Sequence, residues 1–189
     1  MIIRDSKCAR LIDFTIPVNI PVHAIAINNS GTIAATATAD HVIRIWNLEK
    51  DSIVHTMAEH SELIQVLSFS PNEDYLVSGS KDKTLILWDY NSGYKLEDVN
   101  MGSPISSLSF HPLEPYMAIG LHSGECEIMN YRTGEAVRRL AGHSLPIKSV
   151  TYSKDGSRIL TGGTDNTFIL WHKSGRMVKS FAGHQGPVL

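Results

Sequence analysis

A chain of 189 residues can bury one sizeable core without a disulfide or a metal to staple it. Its 17 Lys and Arg against 19 Asp and Glu leave a net charge of −2 with no block of like charge, which argues against a nucleic-acid partner. Cys8 and Cys126 lie far apart without metal-spaced neighbours, and no apolar run approaches the roughly 20 residues that span a bilayer, so a secreted disulfide framework, a zinc ribbon and a membrane protein are all disfavoured. Charges in Met1 to Lys7 stand where a signal peptide needs its apolar region, and the expected address is intracellular and cytoplasmic, with cytoskeletal, ciliary or nuclear sites left open.

In chain order, residues 2–14 read as a third and fourth strand, because they match 170–181 with Arg4 at the place of Trp171 and Phe14 at that of Phe181. Then come Val22, Ile25 and Ile27, whose spacing of three and then two residues predicts a strand with one irregular step near its start. The same spacing returns at Ile64, Leu67 and Phe69, at Ile105, Leu108 and Phe110, and at Ile147, Val150 and Tyr152. Each such strand runs into turn chemistry: Asn28 to Gly31, Ser70 to Asp74, His111 to Pro115, Ser153 to Ser157. Asn28-Asn29-Ser30 fits a glycosylation pattern, but before Gly31 it reads as a polar turn. A second strand such as 75–79, a polar turn at 80–83, a third strand at 84–88 and a fourth at 94–98 complete a unit.

The unit repeats. Ile45-Trp46-Asn47, Leu87-Trp88-Asp89, Ile128-Met129-Asn130 and Leu170-Trp171-His172 are spaced by 42, 41 and 42 residues. A four-stranded unit has two faces to bury and cannot do so alone, so neighbouring units must stack, and radial stacking gives an all-β propeller of antiparallel blades. No segment of ten or more residues carries helical periodicity.

Gly142-His143 with Trp171-His172, and Glu59-His60 with Trp88-Asp89, resemble the Gly-His and Trp-Asp pairs of the WD-repeat family, and the resemblance covers almost the whole chain. It implies a buried hydrogen-bonded set of His, Ser or Thr, Asp and Trp in each blade. The matching positions, at offsets of 18, 22 and 28 from the His, are His60, Ser78, Asp82 and Trp88 in unit two and His143, Thr161, Asp165 and Trp171 in unit four. Unit one keeps Thr36, Asp40 and Trp46 but has Val18 in place of the His, so a water or a backbone group is expected to satisfy Asp40. Unit three has Met101, Ile119, Ser123 and Met129 and is expected to pack as a purely apolar blade.

The blades are placed at 17–58, 59–100, 101–142 (degenerate) and 143–182, with a partial blade at 1–16 and the start of another at 183–189. Family resemblance implies roughly seven blades in a ring. The expectation is therefore part of a larger ring, the missing blades coming from a longer parent chain, from a second copy or from another protein.

No catalytic constellation, metal site or cofactor is expected. His60, His143 and His184 hold a repeated structural position, and His55 with Glu59-His60 has the wrong spacing for a zinc helix. The segment 79–84 superficially matches a phosphate loop but lacks its Gly-Lys-Thr core. Ser78, Asp82 and His60 suggest a catalytic triad until unit four repeats them with Thr161, which a hydrogen-bonded core explains and a nucleophile does not. Arg138-Arg139 lacks the Gly that phosphoinositide-gripping propellers place after such a pair and reads as a solvated strand face.

What remains is the loop surface, where rigid scaffolds carry binding. By resemblance the narrow face maps onto His23, Leu63, Gln65, Lys81, Ser106, His122, Lys148 and Thr164. Leu63, apolar where solvent is expected, either anchors a partner or packs on the neighbouring blade. The expected function is a non-catalytic scaffold that binds other proteins within a multi-subunit assembly. The alternatives are an RNA-processing or ribosome-associated subunit touching phosphate through Lys81 and Lys148, or a centriolar or ciliary propeller.

Overall fold

The computed structural model describes residues 20–188 and, ahead of them, the backbone of two short strands, β1 (Ile2–Arg4) and β2 (Leu11–Asp13), which pair antiparallel. Val18 and Phe14 lie outside the described residues. Four antiparallel sheets follow, each with its four strands in chain order. The first holds β3 (Val22–Ile27), β4 (Ile33–Thr38), β5 (Ile43–Asn47) and β6 (Ser52–Met57). The second holds β7 (Ile64–Phe69), β8 (Leu76–Ser80), β9 (Thr84–Asp89) and β10 (Tyr94–Asn100). In the third are β11 (Ile105–Phe110), β12 (Tyr116–Leu121), β13 (Glu125–Asn130) and β14 (Ala136–Ala141), and in the fourth β15 (Ile147–Tyr152), β16 (Arg158–Gly163), β17 (Thr167–His172) and β18 (Met177–Ala182). No helix occurs among the described residues.

Burial peaks on the second and third strands and falls away on the fourth. All five residues of β8 are buried, whereas β10 is exposed along nearly its whole length. An inner strand with both faces covered needs small or apolar residues on both, as in Leu-Val-Ser-Gly-Ser and Ile-Ala-Ala-Thr-Ala-Thr. Three cores fill the gaps between successive sheets: Ile45 and Ala35 with Leu67 and Phe69, then Val77 and Leu85 with Ile105 and Met117, then Ala118 and Ile128 with Val150 and Ile159. The first strands β3, β7, β11 and β15 lie beside one another in turn, as blades around a common axis do.

Close approach fixes one small residue per blade. A Cβ on Gly79 would come 2.5 Å from Ile105, one on Gly120 2.7 Å from Ile147, and one on Gly162 2.7 Å from Val188. Ala37 holds the same register in the first sheet. The space a side chain would fill is taken by a β-branched residue of the next unit, and where that residue is buried, as Ile105 and Ile147 are, its burial is worth about 1.5 to 3 kcal/mol.

The irregular step read from the three-then-two spacing is a β-bulge. Register shifts at Val22/Ala24, Ile64/Val66, Ile105/Ser107 and Ile147/Ser149 leave His23, Gln65, Ser106 and Lys148 outside the ladder. Asn28 is buried, with its Oδ1 accepting the N–H groups of Thr32 and Ile33, as the polar-turn reading requires.

Two expectations need correction. The third sheet is not purely apolar: Met101, Ile119 and Met129 do pack together, but Glu127 is also buried at 4% exposure. Its carboxylate is tolerated because Arg139, directly across on β14, donates Nε–H to it at 2.9 Å. In the first sheet the expected backbone group does reach Asp40, the Val42 N–H, but side chains not expected from the sequence hold it more closely. Arg44 meets it at 2.7 Å, the Thr38 hydroxyl donates to it, and the Val42 N–H adds a 3.3 Å contact. The Arg44 guanidinium, helped by Thr38 and opposed by burial, holds the Asp40 carboxyl down to about 2.

Candidate functional site

Two constellations are built on this frame, one sealed and one open. In the sealed one, β8 presents Ser78 and β9 presents Trp88, while His60 and Asp82 reach in from the segments preceding β7 and β9. The Trp88 indole N–H donates to Ser78 Oγ at 2.8 Å, the Ser78 hydroxyl donates to His60 Nε2 at 2.7 Å, and His60 Nδ1–H donates to Asp82 Oδ2 at 2.8 Å. Blade four repeats the relay with Trp171, Thr161, His143 and Asp165 at 2.9 to 3.1 Å. Blade one keeps the bond from Trp46 to Thr36, at 2.9 Å.

A fifth member was missed. Thr84 and Thr167, each two residues after the Asp, donate a hydroxyl to that carboxylate at 2.5 and 2.7 Å and lie 3.0 and 3.2 Å from the imidazole Nδ1. Both stand 24 residues after the His, a signal that the fixed offsets could have supplied; Val42 and Glu125 occupy that register in the other two units. Burial works against ionised Asp82, but Thr84, its backbone N–H and His60 outweigh it and hold the carboxyl down to about 2. Burial likewise lowers the pKa of His60, against the pull of Asp82, so the imidazole is neutral.

This set is unsuited to acyl transfer. Ser78 is 0% exposed, and its oxygen already accepts the indole N–H while its proton is committed to the imidazole. The Cys126 thiol is also sealed, with burial pushing it up to about 12. His184 is exposed, with its ring against Phe168 rather than in a polar set. Among the described residues no group of His, Cys, Asp and Glu is arranged to hold a metal ion.

The open constellation lies where the first strands begin. His23, Leu63, Gln65, Lys81, Ser106 and Lys148, six of the eight surface positions singled out from sequence, line one cavity of about 280 Å³ together with Ile64. Four of them are the four bulged residues, so the step that breaks each ladder also turns that side chain towards the mouth. Leu63 is half-buried, in the register where the other blades have Pro21, Pro104 and Pro146. Its carbonyl accepts the Lys81 N–H at 2.9 Å, as those prolines accept from Ala39, His122 and Thr164. The Ser106 hydroxyl bonds the carbonyls of Gly120 at 3.0 Å and Ile147 at 2.5 Å, and so ties blade three to blade four.

His122 and Thr164 do not line the cavity. Thr164 Oγ1 is turned back to the Pro146 carbonyl at 3.2 Å. His122 is half-buried beside it, and burial, then Lys148, then Lys81 lower its pKa. The opposite ends of the first strands carry two further cavities of about 280 Å³ that sequence reasoning did not find. One is lined by Pro71, His111 and Leu113, the other by Tyr116, Val137, Arg138 and Tyr152. Their shared His111 is a turn-holder whose Nδ1 accepts the Leu113 and Glu114 N–H groups.

The repeated sheets, bulges and sealed polar sets define a propeller built from one sequence motif. The motif described as WD domain, G-beta repeat matches residues 15–47, 51–89 and 134–172, and the chain belongs to that family. The stretch it passes over, 90–133, contains the first three strands of the third sheet, where all four polar members are replaced. The match 51–89 starts on β6 and ends on β9, so the sequence repeat spans the outer strand of one sheet and the inner three of the next. Among similar proteins, Autophagy-related protein 16 of Arabidopsis thaliana is 29% identical over 78% of this chain and 29% of its own length. Small ribosomal subunit protein RACK1y of Oryza sativa subsp. japonica is 27% identical over 72% of this chain and 42% of its own. The Periodic tryptophan protein 2 homolog of Schizosaccharomyces pombe is 26% identical over 89% of this chain and 22% of its own. The chain thus spans less than half the length of these relatives.

Proposed function

We propose that this chain is a non-catalytic scaffold that binds other proteins inside the cell, through the cavity at the start of its first strands. One observation carries the reading: bulged residues of all four blades converge with Leu63 on a single open concavity, while the nucleophile-like groups are locked inside. Relatives with names as different as an autophagy-related protein, a ribosomal subunit protein and groucho support a shared role in holding partners rather than a shared chemistry. A photo-crosslinking residue at Gln65, compared with one at the 82% exposed Leu113 on the opposite side, tests it. Protein crosslinks confined to Gln65 and lost in Leu63→Asp support the reading; equal crosslinking at both places refutes it.

A further inference from the structure

Resting on that reading, we infer that the cavity takes an acidic segment of a partner protein, with a carboxylate between Lys81 and Lys148 and an apolar side chain against Leu63. Three features of the wall point this way. First, although the chain carries net negative charge, none of the residues lining the cavity is acidic. Lys81 and Lys148 both line it, and neither has an ion pair among the described residues; Lys95, Arg44 and Arg139 by contrast each have a carboxylate at 3.3 Å or less. Two cations that converge without a counter-charge are stabilised by an anion between them.

Second, the wall is short of a donor. Gln65 Oε1 is buried and meets no protein partner, and a peptide N–H would satisfy it. Third, Leu63 and Ile64 give the same cavity an apolar side. A nucleic-acid backbone fits worse, because phosphate binding draws its affinity from many released counterions and this mouth offers two lysines. Charge complementarity therefore selects a carboxylate-bearing peptide.

The test uses the whole chain and three fluorescein-labelled probes: a Glu/Asp-rich peptide with a central Leu, the same peptide with Gln and Asn in place of the acids, and a uridine-rich single-stranded RNA. The acidic peptide should bind at least about tenfold more tightly than its amide counterpart, and its affinity should fall as salt rises to about 0.3 M while that of the amide peptide holds. Lys81→Gln with Lys148→Gln should abolish the margin with an unchanged melt, whereas Lys154→Gln, on an exposed turn, should keep it. Equal binding of the two peptides, or a margin that is insensitive to salt, overturns the inference even if the double variant fails to fold. So does RNA binding that exceeds peptide binding and is lost in the double variant. Crosslinks at Gln65 that persist without an acidic preference sink this inference alone; their absence sinks the proposed function as well.

Discussion

Removing one buried oxygen should show how the sealed set contributes to stability. In Ser78→Ala the Trp88 N–H loses its acceptor at 2.8 Å and His60 Nε2 loses its donor at 2.7 Å. Trp88 is 1% exposed and the His60 side chain 0%, so neither atom turns to solvent. Each stranded group costs about 1 to 3 kcal/mol, which puts the loss at about 2 to 6 kcal/mol. With a urea slope near 2 kcal/mol/M, the midpoint should drop by about 1 to 3 M. The vacated space is smaller than the roughly 30 Å³ that one water occupies, which disfavours rescue by hydration. Ser78→Thr should stay within about 1 kcal/mol of the parent, because Thr161 makes the same two bonds at 2.9 Å in blade four. His60→Met with Ser78→Ile, which copies Met101 and Ile119, should cost less than its two single changes added together, since each removes a group the other strands. Urea melts of these variants check the argument. A loss below about 0.5 kcal/mol for Ser78→Ala, or strict additivity in the double change, would refute it.

Thr84→Val should cost about 1 to 2 kcal/mol and raise the Asp82 pKa, followed by NMR titration, because a 2.5 Å donor is lost while the Ser61 and Thr84 N–H bonds remain. Stability should be highest above the ordinary histidine value of 6.5, since His60 is depressed in the fold and the unfolded chain binds the extra proton below it. A second loss should set in as pH falls from 3.8 towards about 2, where Asp82 gives up its ionised state, and Asp82→Asn should flatten that limb in pH-dependent melts. Lys83→Gly should raise stability by about 0.5 to 1 kcal/mol in the same melts, because Lys83 has φ of 73° and Gly124 already fills that register in blade three.

Strand order and the sealed sets were legible because the blade repeats: a geometry copied at intervals of 42 and 41 residues leaves residues in a fixed frame. Even the bulge showed, since an extra residue converts a spacing of two into three. What stayed hidden depends on register or on side-chain reach. Thr84 and Thr167 read as ordinary strand residues, threonine being common in strands. Glu127 and Arg139 sit 12 residues apart and become partners only once β13 and β14 are aligned with that pair directly opposed. Arg44 on a third strand reads as a solvent-facing cation until Asp40 is seen to close on it.

The separation of folding from recognition follows from how one turn is wired. In 80–84, Asp82 is drawn inward by His60 and Thr84, while the neighbouring Lys81 lines the cavity. Residue 81 fastens the turn through its backbone, and so do its counterparts, Thr164 adding a bond from its Oγ1 to the same Pro146 carbonyl at 3.2 Å. Ala39, Lys81, His122 and Thr164 donate N–H to Pro21, Leu63, Pro104 and Pro146 at 2.9 Å in every case. A bond made by the main chain places no demand on the side chain, so a methyl group, an ammonium, an imidazole and a hydroxyl all occur there. The bulged positions His23, Gln65 and Lys148 share this freedom at the same shift in register, whereas Ser106 spends its hydroxyl on the Gly120 and Ile147 carbonyls. Buried positions such as Ser78 and Thr161 have no such latitude, because their hydroxyls are themselves the bond. Side chains such as those of Lys81 and Lys148 can therefore change at the mouth without disturbing the blades.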